Sequence, residues 1–109
     1  MAYDELLVSR IRALIGLQPN LEEKKMFGGV GYLLNGNMAC GVHQNDLIVR
    51  VGPANYDQAL SRPYARVFDM TGRPMAGWVM VAPEGFTTQA DLKAWIEQGI
   101  AFARSLPGK

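Results

Sequence analysis

The stretch Lys25-Met26-Phe27-Gly28-Gly29-Val30-Gly31-Tyr32-Leu33-Leu34-Asn35-Gly36-Asn37-Met38 decides the fold. From Met26 to Leu34 it is apolar but carries Gly28, Gly29 and Gly31. It reads as a strand with several side chains missing, and glycines inside a strand mark a bulge or a close backbone approach. Asn35-Gly36-Asn37 follows as a hairpin turn, because Asn and Gly tolerate the positive φ that a tight turn needs. A second strand, Met38 to His43, therefore returns antiparallel. Gln44-Asn45-Asp46 turns the chain again into a third strand, Leu47 to Val51. The side-chain period of two assigns the faces. Met38, Cys40 and Val42 are expected against the helices with Leu47, Val49 and Val51. Ala39, Gly41, His43, Ile48 and Arg50 fall on the other face.

Working outward, Tyr3 to Leu17 has a helical period, with Leu7, Ile11, Leu14 and Ile15 on one face. Asp4 and Glu5 favour the positive end of its dipole, and Gly16 and Pro19-Asn20 stop it. Asn20 to Lys25 reads as a polar connector, a solvated surface turn. Gly52-Pro53 opens a short helix to about Leu60, with Pro in its first turn. A fourth strand is expected over Ala65 to Met70 and a turn at Thr71-Gly72-Arg73-Pro74. A fifth strand follows over Met75 to Val81. Thr88 to Leu106 is a helix with Thr88 as N-cap and one stripe of Leu92, Trp95, Ile96, Gly99, Phe102, Ala103 and Leu106. The order is α-β(3)-α-β(2)-α, a two-layer α+β domain with antiparallel strands and helices on one side.

Composition narrows the function. A chain of 109 residues, 49% hydrophobic and 19% charged, is the size and character of one globular domain. One cysteine excludes a disulfide framework and a multi-thiolate metal site, and one histidine excludes a multi-histidine metal centre. The net charge of +1 lacks the basic excess of a strong nucleic-acid binder. No run of about 18 apolar residues spans a membrane. The acidic N-terminus, without a secretory signal, and the lone Cys40 predict a cytoplasmic protein.

The Met26-Phe27-Gly28-Gly29-Val30-Gly31 block, with its turn and the strand entering at Met38, resembles the N-terminal domain of the TfoX (Sxy) family of competence regulators. Asp46-Leu47-Ile48-Val49-Arg50, Pro63-Tyr64, Gly77-Trp78-Val79 and Leu92…Trp95…Ile96 extend the resemblance along nearly the whole chain. It implies an α-β(3)-α-β(2)-α fold similar to secretion chaperone-like folds, a regulatory role, and no enzyme activity or cofactor. Full-length members add a C-terminal domain. This sequence stops at Lys109 and is expected to be one N-terminal-like domain over residues 1–109.

Several residue groups invite a chemical reading. Cys40 and His43 lie three apart on a strand and point to opposite faces, so they are expected neither to form a dyad nor to share a metal. Gly28-Gly29-Val30-Gly31 lies within a strand and leads into a hairpin, whereas a dinucleotide fingerprint opens a helix. Asp46, Asp57, Asp69 and Glu84 have no spacing that forces convergence. Lys24, Lys25, Arg50, Arg66 and Arg73 are the candidate contacts for a partner or nucleic acid, should the fold bring them to one face. The leading expectation is a non-enzymatic module acting through a protein partner, with a homodimer through a sheet edge or the glycine-bearing strand as one form. The alternatives are a weak nucleic-acid-binding module and a small enzyme using Cys40, His43 or Asp69.

Overall fold

The computed structural model describes residues 3–16, 20–26, 28–68 and 76–107. They form an α+β fold: a six-stranded antiparallel sheet and three helices. The elements are α1 (Glu5–Ile15), β1 (Leu21–Met26), β2 (Gly29–Leu34), β3 (Asn37–His43), β4 (Asp46–Arg50), α2 (Tyr56–Leu60), β5 (Ala65–Val67), β6 (Trp78–Val81) and α3 (Gln89–Ser105). Short 3-10 turns at Pro53–Asn55 and Pro83–Phe86 lead into α2 and α3. The strand order is β1-β2-β3-β4-β6-β5.

Local chemistry sets where these helices start, and α1 begins at Glu5, two residues after the expected Tyr3. The Asp4 carboxylate accepts from the Leu6 and Leu7 amides at 2.9 and 3.3 Å and caps α1. Thr88 Oγ1 accepts from the Asp91 amide at 3.1 Å and caps α3. Asn35 and Gly36 take φ of 53° and 83°, so a two-residue turn closes the β2–β3 hairpin. α3 buries Leu92, Trp95, Ile96, Gly99, Ile100 and Ala103 against the sheet. Phe102 is only half-buried, with its ring against Gly52.

Two expectations are corrected. The first concerns Asn20 to Lys25, where the chain is strand and not a polar connector: β1 pairs with β2 from Leu21↔Leu34 to Met26↔Gly29. The expected first strand is thus two strands folded at Gly28, whose φ is 75°. An edge strand needs no apolar alternation, and its charges guard the open side, so the usual pattern is missing there. The second correction concerns faces. The β2–β3 register shifts, with Tyr32 opposite Cys40 but Leu33 opposite Met38, so Ala39 is an inserted bulge residue. Ala39 joins Cys40 in the helix-side core. Met38 turns away: its Cε lies 2.9 Å from where a Cβ on Gly41 would stand, on the opposite face.

The described parts of β5 and β6 are shorter than the expected fourth and fifth strands. Leu17, Pro19 and Phe27 lie outside the described residues, as do Asp69, Met70, the Thr71–Pro74 turn and Met75. The main core sits between the sheet and helices α1 and α3, and Ile48, Met80 and Phe68 make a small second cluster on the far face with Trp78.

α3 lies so close to the bulge that a Cβ on Gly99 would run into the Ala39 carbonyl oxygen. Gly99→Ala gains about 1 kcal/mol of helix propensity and meets an overpacking cost of about 1–3 kcal/mol. Because the obstacle is backbone and cannot rotate away, the expected result is net destabilisation in a urea titration. Gln98→Ala, on the same helix but half-exposed, should leave the midpoint nearly unchanged.

Candidate functional site

β1 is the long open edge of the sheet. In an antiparallel ladder, hydrogen-bonded and non-bonded pairs alternate. The Asn35 amide donates to the Asn20 carbonyl at 2.8 Å. Glu22, Lys24 and Met26 therefore turn their backbone groups toward β2, and Leu21, Glu23 and Lys25 turn theirs outward. Among the described residues, no strand pairs with that outer side.

The side chains of β1 follow the same alternation. Glu23 stands opposite Tyr32 on the helix side and meets Arg12 of α1 in a two-point ion pair, Nε to Oε1 at 2.9 Å and Nη2 to Oε2 at 2.5 Å. This pair raises the pKa of the Arg12 guanidinium and lowers that of the Glu23 carboxylate. Below them the Tyr32 hydroxyl is buried without a hydrogen bond of good geometry. Burial first, and the nearby Glu23 charge second, push its pKa up. Arg12, Ile15, Gly16, Leu21, Glu23 and Tyr32 line a cleft of about 370 Å³ along the edge. A second groove of about 320 Å³ runs between α1 and α3, with Leu14, Ile96 and Ile100 in its wall.

The candidate basic residues are spread out. Lys24 lies opposite Gly31 and Lys25 opposite Val30, so they project from opposite faces of β1. Arg66 is on β5, at the other edge of the sheet, where its Nη2 reaches Asp46 Oδ2 at 2.6 Å. Five strand spacings of about 4.8 Å put roughly 24 Å between Lys24 and Arg66. Arg50, at the end of β4, holds its guanidinium 5.2 Å from the Trp78 ring centre and 5.3 Å from that of Phe102. Arg73 lies outside the described residues.

Cys40 is fully buried on the helix side, and burial pushes its thiol up to about 12. His43 stands on the far face opposite Asp46. Asp57 on α2 and Glu84 in the Pro83–Phe86 turn are exposed, and Asp69 is not described. Among the described residues, no three His, Cys, Asp or Glu side chains gather where a metal ion could sit. None of their helices is long and apolar enough to cross a membrane. The Arg12–Glu23–Tyr32 grouping is absent from the sequence reading. Its one local sign is Gly28, which stands between two equal six-residue runs, Leu21–Met26 and Gly29–Leu34.

The profile of the family described as the TfoX N-terminal domain matches residues 13–103. No curated protein matches the chain.

Two measurements follow from these environments. Glu23 has a folded-state pKa below its ordinary value of 4.5, so its contribution to stability is complete above that value. It fades as the pH falls from there through the lowered folded-state pKa. In urea titrations, Glu23→Gln is expected to be less stable than the parent at pH 7, with the gap closing toward pH 3. A gap independent of pH would deny the ion pair that role. Cys40 is expected to resist a thiol reagent such as Ellman's at pH 8 until urea unfolds the chain.

Proposed function

The chain belongs to the TfoX N-terminal domain family, and from that premise we propose that it is a non-enzymatic cytoplasmic regulatory module acting through protein binding. The family supports a regulatory or interaction role in general. The observation that carries the finer reading is the open β1 edge, where the backbone groups of Leu21, Glu23 and Lys25 face outward. Such an edge recognises an added strand by main-chain hydrogen bonds. The described titratable groups lend weight to the same side: Cys40 is buried, His43 is on the opposite face, and Arg66 is engaged by Asp46. Of the described candidate cations, Lys24 and Lys25 lie on opposite faces of one edge, Arg66 on the other edge and Arg50 on an inner strand, an arrangement better suited to separate contacts than to one nucleic-acid track.

A tagged chain in nuclease-treated cytoplasmic extract tests the reading. Lys25→Pro removes an outward amide and leaves the β1–β2 ladder intact, since an edge strand accommodates proline where the N–H faces out. The parent is expected to capture a protein that Lys25→Pro loses at unchanged thermal stability. Capture that survives Lys25→Pro, or that vanishes with nuclease treatment, counts against strand addition at this edge.

A further inference from the structure

We propose that the partner seated on β1 is a second copy of this chain, paired antiparallel about a two-fold axis at Glu23. The inference rests on the reading of β1 as a protein-binding edge and names its occupant. A two-fold axis that joins two antiparallel edge strands stands perpendicular to the sheet, so each face continues into the same face of the partner. Only residues on the same face can then oppose one another. This restricts the register to pairs such as Glu23 with Glu23 of the partner subunit or Lys24 with Lys24 of the partner subunit.

The charges and the hydrogen-bonding pattern choose between these. With the axis at Glu23, Leu21 opposes the partner's Lys25 and Glu23 opposes the partner's Glu23. All of the outward-facing backbone groups of Leu21, Glu23 and Lys25 are then paired. On the far face Glu22 opposes the partner's Lys24, twice by symmetry, an attractive cross-strand pair. The two Glu23 carboxylates meet at the axis, but each is already bound at two points by its own Arg12. The register centred on Lys24 sets Glu23 opposite the partner's Lys25, but that carboxylate is already held by Arg12; it also opposes two lysines, faces Glu22 with the partner's Met26, and leaves the backbone groups of Leu21 outside the Leu21–Met26 pairing. The register centred on Glu22 opposes two acids that no ion pair described above neutralises. The run Leu21-Glu22-Glu23-Lys24-Lys25-Met26 is thus guarded against indiscriminate strand addition by its charges and is complementary to itself in one alignment. One strand per copy makes a small interface, in the weak and transient class, and its exposed Glu22–Lys24 pairs make it salt-sensitive.

Cysteine cross-linking tests the alignment. Hydrogen-bonded partners in an antiparallel pair have Cα atoms about 5.5 Å apart, within the 4.4–6.8 Å span of a disulfide. Glu23→Cys is therefore expected to yield a disulfide dimer under copper–phenanthroline oxidation at low salt. Glu22→Cys offsets the two thiols by two residues, to about 8 Å between Cα atoms, and is expected to cross-link poorly. The native Cys40 is buried and does not compete. Since Glu23→Cys also removes the Arg12 ion pair, a second measurement keeps Glu23 in place. In sedimentation at low salt the parent should associate, Lys24→Glu should associate at least tenfold more weakly, and Glu22→Lys with Lys24→Glu should recover. The proposal is overturned by a parent that stays monomeric at millimolar concentration, or by Glu22→Cys cross-linking as well as Glu23→Cys. It also fails if Lys24→Glu leaves association unchanged. If the extract experiment still shows Lys25→Pro-sensitive capture of a different protein, the binding edge survives and only its occupant changes. If Glu23→Cys cross-links and the parent captures no other protein, self-association is the binding that the edge performs.

Discussion

The close approach of α3 to β3 is the constraint on which the helical layer depends. Gly99 lets the helix backbone settle against the Ala39 carbonyl, and Ala39 is there because β3 carries one extra residue opposite β2. Trp95 and Ile96 on one side of Gly99 and Ile100 and Ala103 on the other then reach the core. A larger residue at either contact point would lift the helix and open space beneath Trp95, and protein interiors fill such space at a cost. The bulge also sends Met38 to the far face, so the position that looked like core in an ideal strand is not core.

α1 completes that layer through polar ties from Arg10 and Arg12. Arg10 donates to Gln89 Oε1 at 2.7 Å and to the Phe86 carbonyl at 2.8 Å, joining α1 to the start of α3. Arg12 donates to Glu23, joining α1 to the edge strand. The second tie has a consequence for recognition. It neutralises the one carboxylate that projects from β1 on the helix side, leaving a strand whose outward backbone is open and whose remaining charges are Glu22, Lys24 and Lys25. The buried Tyr32 hydroxyl beneath it lies close to the Glu23 carboxylate without a hydrogen bond of good geometry.

The legible parts of the chain were those governed by neighbours in sequence. The cap at Thr88, the Asn35-Gly36 turn, most of the stripe of α3 and the period-two faces of β4 all rest on interactions within a few residues, and all are present. Glu22 to Lys25 read as a connector because four consecutive charges show no period, and an edge strand requires none. The Ala39 bulge was equally silent, because an inserted residue is defined only against the strand across from it. The candidate site shared that fate: Arg12, Glu23 and Tyr32 come from three different elements.

By itself the sequence determined the α+β class, the helix ends, the hairpin turn and the burial of Cys40, because short-range capping, turn geometry and hydrophobic period are written locally. Which strands lie at the edges, where β3 gains its extra residue, and which charges meet were decided only when the sheet closed on α1 and α3. Those are long-range pairings, and their free energy exists only once both partners are in place.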